Sequence, residues 1–323
     1  MAGSAGPPEP ARQAEAPPPV IGIVGPTASG KTDLALALAR RWPVEILVAD
    51  SRQVYRGMDV GTAKPGTTAL RAVPHHLLDL VDPDEPFSVA QWVERARDLL
   101  PDIAARGRIP MLVGGTGLYV AALLDGHDYA SQPWSPEIRR RLADELDAQG
   151  VEPLAGRLRA ADPAAAARID LDNPRRVLRA LERLEAGDGG GEPAAEPYAG
   201  RVALLGVSRP REVLYRRIDD RARWLFAHGL LDEVRELMHA GYRADLRPMT
   251  GHGYGEAVRH LAGEWSLEQA IDVTAQRTRQ YAKRQLTWFR RDPRILWISA
   301  GDRPSDDSAL VAEADRLLRA ALG

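Results

Sequence analysis

The sequence has no cysteine among its 323 residues. Disulfide bonds, thiolate metal sites and a cysteine nucleophile are therefore excluded. No stretch approaches the roughly 20 consecutive apolar residues that a helix needs to span a bilayer, so we expect no membrane partner. The formal net charge is only −2, so any binding to nucleic acid must come from a local basic cluster. These absences are typical of a cytoplasmic protein.

The hydrophobic pattern predicts an α/β protein, and the length suggests roughly two domains. Short β-rich runs such as "VIGIVG", "VEILVAD" and "IPMLVGG" alternate with helical patterns such as "TDLALALARRW". The alternation returns in "RVALLGVS" and "RILWIS". We predict a parallel sheet flanked by helices, like that of the P-loop nucleotide kinases, built from residues 20–126 and 201–323. Its ligands should lie at the carboxyl ends of the strands.

Two segments depart from this pattern. Residues 1–19 are rich in proline and alanine and lack the apolar centre of a signal peptide, so we expect a disordered leader. Residues 127–200 show no convincing strand, whereas Ser135 and Asn173 stand at N-cap positions, each followed by a proline. We therefore predict an inserted all-helical domain over 127–200, with a flexible Gly/Pro-rich end.

The segment "GPTASGKT" between a strand and a helix fits the pattern of a phosphate-binding loop. Gly25 and Gly30 let backbone N–H groups turn inward around phosphate oxygens, and the following helix adds its positive dipole end. Lys31 would neutralise phosphate charge, and the Thr32 hydroxyl would bind Mg²⁺. The pattern predicts a bound diphosphate or triphosphate with Mg²⁺ but does not identify the rest of the ligand. The loop residues are Gly25, Pro26, Thr27, Ala28, Ser29, Gly30, Lys31 and Thr32.

Asp50 lies at the carboxyl end of the second predicted strand. There its carboxylate can accept a proton from a nucleophile that attacks the bound phosphorylated ligand. Taken by itself, the position equally fits a helix N-cap or an outer contact of the magnesium ion. The long polar stretch that follows favours a functional role. In that stretch, Ser51 and Gln53 would hydrogen-bond a polar acceptor substrate, and Thr62 and Lys64 would add a donor and a cation.

Basic side chains cluster in two segments. In the predicted long helix from about Ser266 to Arg291, four residues at steps of four, three and four form a basic-aromatic stripe that suits RNA phosphates and unstacked bases. In the insertion, arginines recur every four residues. Such runs are often only solvated faces, but two of them in one chain favour RNA. The two sets are Arg277, Tyr281, Arg284 and Trp288, and Arg175, Arg179 and Arg183.

Two further pairs of residues are candidates for a functional role. Arg217 and Arg221 share one helical face and can reach the phosphates from outside the loop, although pairing with Asp219 or Asp220 is the alternative. His75 and His76 have no accompanying carboxylate or metal-ligand spacing, so we expect packing or capping.

The motifs "DSRQVYRGMDVGTAKP", "HHLLDLVDP", "GGTGLY", "NPRRVLRALE" and "KRQLTWFR" occur in the order seen in tRNA dimethylallyltransferases. The chain resembles this family from about Val20 to Trp297. The resemblance implies transfer of a dimethylallyl group from dimethylallyl diphosphate to N6 of adenosine 37, beside the tRNA anticodon, assisted by Mg²⁺. It also implies that Asp50 takes a proton from N6, and that the inserted helical domain binds tRNA.

The resemblance implies roles for further residues. Lys31 and Thr32 would act with Asp50 in catalysis. Thr116, Arg217 and Arg221 would complete the diphosphate site, and Gly255 stands where the family commonly has a basic residue. The residues implied in tRNA binding are Asp50, Ser51, Arg52, Gln53, Thr116, Asp172, Asn173, Pro174, Arg175, Arg176, Gly253, Tyr254, Gln280, Lys283, Arg284 and Trp288.

Three alternatives remain open on the sequence. A small-molecule kinase would use the same loop and Asp50 but has no need for two basic segments. A prenyltransferase that acts on free AMP or ADP shares the core motifs. A non-catalytic nucleotide switch would not require Asp50. For the tRNA-modifying enzyme that the resemblance implies, we expect a monomer.

Overall fold

The computed structural model describes residues 16–126, 135–187 and 196–323. Most of the expected leader and of the Gly/Pro-rich segment lies outside these ranges. The chain divides into two compact units. The core unit comprises Met1–Leu124 and Tyr198–Gly323, and the helical unit comprises Asp125–Pro197. No helix in the described ranges is long and apolar enough to cross a membrane.

The core unit contains a six-stranded sheet in which every neighbouring pair is parallel. The order is β3-β2-β4-β1-β5-β6. β1 and β2 are buried along their whole length, as expected for a parallel sheet covered on both faces. The predicted parallel α/β sheet is therefore confirmed. The strands are β1 Val20–Val24, β2 Val44–Val48, β3 His75–His76, β4 Ile109–Gly114, β5 Val202–Ser208 and β6 Ile295–Ser299.

Thirteen helices occur within the described ranges. They are α1 Lys31–Ala39, α2 Thr67–Ala72, α3 Val89–Ala105, α4 Gly117–Leu124, α5 Pro136–Gln149, α6 Val151–Ala161, α7 Pro163–Arg168, α8 Pro174–Glu185, α9 Arg211–Ala227, α10 Leu230–His239, α11 Tyr254–Leu261, α12 Leu267–Phe289 and α13 Ser308–Leu322. The long predicted helix is α12, and a capping box at Ser266 sets its start.

Apolar side chains of the helices pack on the sheet. Leu34 of α1 and Leu310 of α13 belong to the main hydrophobic core. Trp92 of α3 stacks on Tyr119 of α4 with ring centroids 4.6 Å apart, and its indole N–H donates to the carbonyl of Val48 at 3.2 Å. Because the strands are parallel and in register, the loops that follow β1, β2 and β4 meet at one edge of the sheet.

The helical unit consists of α5 to α8 around its own apolar core of Leu142, Leu154, Leu158, Val177 and Leu181. No strand occurs in the described stretch 135–187. The two predicted caps are confirmed, because Ser135 accepts the N–H of Ile138 and Asn173 accepts that of Arg175. The unit thus has the all-helical structure predicted for the insertion.

Candidate functional site

The loop between β1 and α1 has a backbone that strongly favours glycine at two positions. Gly25 and Gly30 have φ of 141° and 93°. A Cβ at Gly25 would lie 2.6 Å from the carbonyl oxygen of Val207, and one at Gly30 would clash with Ser305. Both glycines are therefore needed for the loop to curl at the end of β1. A glycine-rich loop that curls before a helix can offer backbone N–H groups to a bound phosphate.

Cationic side chains bind the outward carbonyl groups of this loop. The Lys31 ammonium donates to the carbonyl of Pro26 at 2.7 Å, and the Arg217 Nε–H donates to that of Ala28 at 2.9 Å. These bonds fix the orientation of two peptide planes of the loop. The structure thus places Arg217 at the loop, where it binds the backbone. Its predicted contact with phosphate stays a prediction.

Gln285 of α12 joins the loop to the end of β4. Its carboxamide oxygen accepts the N–H of Thr27 at 2.8 Å, and its amide donates to the carbonyl of Gly115 at 2.8 Å. The side chain is only 6% exposed. Gln285 is not among the site residues predicted from the sequence. Gln285 lies about one turn from both Ala282 and Phe289, which are buried in α12. This spacing indicates that Gln285 belongs to the buried face of the helix.

The charges around the loop are coupled. Burial lowers the pKa of Lys31 to about 8, the Asp50 carboxylate opposes this shift, and the Arg221 guanidinium adds to it. Burial likewise lowers the pKa of Arg221, against the pull of Asp50 and Asp33. Two desolvated cations and one carboxylate therefore share this edge of the sheet. Such a site stabilises a multiply charged anion and has a carboxylate beside it.

Asp50 follows β2 directly and caps no helix, because the next helix, α2, begins only at Thr67. The N-cap alternative is therefore wrong. One carboxylate oxygen of Asp50 accepts the backbone N–H of Arg52 at 2.9 Å. The N–H of the intervening Ser51 donates to the Thr116 hydroxyl at 2.9 Å, and the Tyr281 side chain is also hydrogen-bonded to Thr116. Asp50 is thus oriented by the loops after β2 and β4.

Polar side chains of the stretch after Asp50 form hydrogen bonds and ion pairs mostly with other residues of the same region. The Thr62 hydroxyl donates to the carbonyl of Met58, and Lys64 pairs with Asp59 at 2.7 Å and with Asp79. Thr62 and Lys64, expected as a donor and a cation for an acceptor substrate, are thus bonded to local carbonyl groups and carboxylates. The Gln53 amide similarly donates to the carbonyl of Thr62 at 3.0 Å.

The two histidines form strand β3 and have a structural role. His76 donates to Glu45 at 2.7 Å, and the Arg106 guanidinium binds the same carboxylate through two N–H groups. These bonds hold the pKa of Glu45 at about 2. The reading that no carboxylate accompanies the histidines is thus wrong, since Glu45 reaches them from β2. The predicted packing role is consistent with this cluster.

The basic-aromatic stripe of α12 is only partly exposed. Arg277 pairs with the fully buried Glu256 and donates to the carbonyl of Thr250. The Arg284 guanidinium lies 5.7 Å from the centre of the Tyr281 ring. Arg277, the first residue of the predicted stripe, is therefore bonded to other residues of the protein. The stripe that remains for RNA begins after it. Among the residues predicted to bind tRNA, Gln280, Lys283, Arg284 and Trp288 of this segment are exposed.

His252 lies beside this stripe, with its ring centroid 5.4 Å from that of Tyr281. Burial and the nearby guanidinium groups of Arg277, Arg52 and Arg284 lower the pKa of His252 to about 4. Its imidazole is therefore neutral at physiological pH.

The Gly253–Tyr254 pair begins α11. Gly253 has φ of 89°, and its N–H donates to Glu256 at 2.7 Å. Tyr254 is 2% exposed, and its hydroxyl donates to Glu233. The Tyr254 ring packs so closely on Gly61 that a Cβ there would clash. Any contact that this pair makes with RNA must therefore involve the backbone. Gly255 has room for a side chain, so the absent basic residue leaves no packing defect.

The arginine series of the helical unit is also partly used within the fold. Arg179 pairs with Glu182 at 3.2 Å, and Arg139 binds the same carboxylate at 2.6 Å. The Arg139 pair joins α5 to α8, whereas the Arg179 pair lies within α8. Because Glu182 is 2% exposed, loss of both arginines would leave a buried carboxylate uncompensated. At the start of α8, Asp172, Pro174, Arg175 and Arg176 are exposed, and Asn173 is half-buried as the cap.

The chain is similar to proteins of one family over most of its length. Residues 53–292 match the IPP transferase family and residues 18–80 match the isopentenyl transferase family. A tRNA dimethylallyltransferase of Geobacter metallireducens is 49% identical over 283 residues, which cover 85% of this chain and 91% of the relative. One from Syntrophobacter fumaroxidans is 45% identical over 93% of this chain and 89% of its own.

Two solved structures have the same fold. The tRNA isopentenylpyrophosphate transferase of Bacillus halodurans superimposes with a TM-score of 0.71 at 40% identity, covering 94% of this chain and 96% of the other. A eukaryotic dimethylallyltransferase, captured acting on tRNA, gives a TM-score of 0.75 at 25% identity, covering 92% of this chain and 77% of the other.

Proposed function

The chain belongs to the IPP transferase family, and we propose that it transfers a dimethylallyl group from dimethylallyl diphosphate to N6 of adenosine 37 in tRNA. The products are N6-(dimethylallyl)adenosine and inorganic diphosphate. The observation that carries the proposal is that Asp50, held by the Arg52 N–H, lies near enough to Lys31 and Arg221 at the glycine loop to shift their pKa values. This arrangement has a place for a leaving diphosphate and a carboxylate next to it.

In this reaction the loop binds the leaving group. The loop from Gly25 to Thr32 would bind the diphosphate through the Lys31 ammonium and through those backbone N–H groups that are not already bonded within the fold. The N–H of Thr27 donates to Gln285 and that of Ser29 to the carbonyl of Pro26. Arg217, Arg221 and Thr116 would lie at the edge of the diphosphate. An allylic diphosphate ionises readily once the charge that develops on it is neutralised. The desolvation of Lys31 and Arg221 makes their charges more effective than they would be in water. Thus the site stabilises the departing anion and transfers no phosphoryl group.

A divalent metal fits the donor set of this loop. The Thr32 hydroxyl lies exposed in the first turn of α1, directly after the loop. Mg²⁺ usually keeps several waters and takes one or two protein ligands together with substrate phosphates, so a single hydroxyl is sufficient. We propose Mg²⁺ with Thr32 as its protein ligand. When bound, Mg²⁺ would neutralise diphosphate charge that the loop alone leaves uncompensated.

Asp50 is the proposed base. The exocyclic amine of adenine is a weak nucleophile, and its attack on the allylic carbon leaves a proton that must be removed. One oxygen of Asp50 is held by Arg52 N–H, so the carboxylate has a fixed direction while its other oxygen can face the amine. The adenine must leave its stack to reach this edge of the sheet, so a flipped base is expected.

The proposed contacts with tRNA come from both units. The exposed residues of α12 supply cations and an aromatic face for the RNA, and the start of α8 supplies two further arginines. The buried Tyr254 would contribute only its backbone. The proposed set is Asp50, Ser51, Arg52, Gln53, Thr116, Asp172, Asn173, Pro174, Arg175, Arg176, Gly253, Tyr254, Gln280, Lys283, Arg284 and Trp288. We further propose that the protein acts as a monomer in the cytoplasm.

A comparison of acceptors tests this function. The protein is incubated with dimethylallyl diphosphate labelled in the prenyl group, Mg²⁺, and either unmodified tRNA, AMP, or ATP with small acceptors. We expect label on tRNA and none on AMP. Label on AMP alone would indicate an adenylate prenyltransferase, and absence of transfer to tRNA would refute the proposal.

A further inference from the structure

Arg209 is a buried arginine directly behind the phosphate loop. It follows β5 and is 8% exposed. Its Nε–H donates to the carbonyl of Ser29 at 2.9 Å. Its other nitrogens donate to the carbonyls of Gly301 at 2.9 Å and Arg303 at 2.8 Å, and to the Ser305 hydroxyl at 2.8 Å. The guanidinium therefore joins the loop after β1 to the loop after β6.

All four of these acceptors are uncharged. Within the part of the chain that the structure describes, no carboxylate forms a salt bridge with Arg209. Asp302 and Asp33 attract it only at longer range, while burial and the neighbouring Arg217 guanidinium lower its pKa. A buried cation without a paired anion is costly for a fold. An anion bound in the adjacent loop would compensate this cost.

The bond to Ser29 also acts on the face of the loop that binds the ligand. The Ser29 carbonyl and the Gly30 N–H belong to one trans peptide unit, so they point in opposite directions. Donation by Arg209 to that carbonyl polarises the peptide and makes the Gly30 N–H a stronger donor. Arg217 and Lys31 also donate to loop carbonyls, those of Ala28 and Pro26, but the N–H groups of those two peptides are already bonded within the fold.

We propose that Arg209 is a positioning residue of the diphosphate site. Its charge lies behind the loop, strengthens the Gly30 N–H as a donor and is compensated when the diphosphate binds. It does not touch the substrate. The inference rests on the proposed function, because it requires that this loop hold a diphosphate. Arg209 is thus the third cationic residue, besides Lys31 and Arg217, whose side chain donates to a carbonyl of the loop.

The alternative role for Arg209 is purely structural: its hydrogen bonds would only hold the loop Gly301–Ser305 in place. Two substitutions of Arg209 separate the roles. Arg209→Gln removes the charge and retains an amide donor, whereas Arg209→Lys retains the charge and loses the planar set of donors. A third variant, Arg216→Gln, is the matched control. Arg216 lies in α9 and forms an exposed ion pair with Asp302. The substitution removes the same formal charge from the surface.

The experiment measures the affinity of the full chain for inorganic diphosphate with Mg²⁺ by calorimetry. We expect Arg209→Gln to weaken binding about tenfold, Arg209→Lys no more than about threefold, and Arg216→Gln less than about twofold. With tRNA as acceptor, Arg209→Gln should raise KM for dimethylallyl diphosphate about tenfold and leave KM for tRNA within about twofold. Equal losses for the Gln and Lys variants, or no loss for Gln, would overturn the inference.

A further variant covers the case in which Arg209→Gln does not fold. Ser305→Ala removes one acceptor of the guanidinium and leaves the charge in place, so diphosphate affinity should stay within about threefold. A tenfold loss in Ser305→Ala would assign the effect to loop geometry and refute a role for the charge. If the wild-type chain fails to bind diphosphate, the proposed function itself is refuted. That outcome is distinct from a refutation of the role of Arg209, which depends only on differences between wild type and variants.

Discussion

The carboxamide oxygen of Gln285 accepts the N–H of Thr27 at 2.8 Å across a sequence separation of 258 residues. Through this bond, the inner face of α12 holds the phosphate loop, while its outer face exposes Lys283, Arg284 and Trp288. The same side chain also binds the carbonyl of Gly115. The helix that we propose for tRNA contact is therefore part of the framework that shapes the diphosphate site.

Replacing Gln285 by leucine should weaken diphosphate binding. The substitution leaves the N–H of Thr27 and the carbonyl of Gly115 without a partner in a buried place, which costs about 1–3 kcal/mol for each group. We expect roughly a tenfold loss of affinity for inorganic diphosphate with Mg²⁺, measured by calorimetry. Gln276→Leu on the exposed face of α12 is the control. Unchanged affinity in Gln285→Leu would show that the loop keeps its shape without this bond.

The lowered pKa of Lys31 predicts a pH dependence of binding. Because burial lowers this pKa to about 8, the free protein loses the ammonium charge as pH rises through that value. A bound anion favours the charged form, so affinity should fall above about pH 8, with uptake of a proton on binding. Lys31→Arg keeps its charge throughout this range. The wild-type to Lys31→Arg ratio of diphosphate affinity should therefore decline between about pH 7 and pH 9. A constant ratio would contradict the role of Lys31.

Lys283 is exposed on α12 and should contact an RNA phosphate. A lysine that neutralises one phosphate contributes about one unit to the slope of log affinity against log salt. Lys283→Gln should therefore weaken tRNA binding and reduce that slope by about one, with diphosphate affinity unchanged. Filter binding over a salt series measures both quantities. Arg235→Gln, which breaks an exposed ion pair with Asp232, is the charge-matched control. An unchanged slope in Lys283→Gln would place the RNA elsewhere.

The cluster of Glu45 with Arg106 and His76 should contribute to stability in a defined pH window. Since the folded-state pKa of Glu45 lies at about 2, below its ordinary value, the contribution is present above about pH 4.5. It is lost as pH falls toward 2. Arg106 is half-exposed, so we expect only about 1–2 kcal/mol. Urea unfolding should show Glu45→Gln less stable at about pH 6, with the difference shrinking at about pH 3. An equal difference at both values would contradict this account. The exposed Glu94→Gln is the control.

The sheet and the phosphate loop could be predicted because their causes are local. Buried parallel strands read as continuous apolar runs, and the caps at Ser135 and Asn173 depend on neighbours within three residues. Strand β3 was not predicted, since a strand of two residues, His75–His76, has no periodicity.

The remaining site residues depend on partners that the fold selects. Nothing near Gln285 or Arg209 in the sequence indicates Thr27 or Ser29, each more than 150 residues away. For the same reason, the spacing of Arg277 suggested an exposed stripe, whereas the fold places the buried Glu256 beside it. Spacing identifies the face of a helix but not what that face meets.

The central claim is that the phosphate loop holds a leaving group and that Asp50 receives the proton of the acceptor. The most direct test uses dimethylallyl diphosphate with tritium in the prenyl group and ³²P in the terminal phosphate, with Mg²⁺ and unmodified tRNA. We predict that tritium appears on adenosine 37 and ³²P in free diphosphate, in equal amounts, and that Asp50→Asn abolishes both while binding tRNA within a few-fold of wild type. Transfer of ³²P to the acceptor, or full transfer of tritium by Asp50→Asn, would contradict the account.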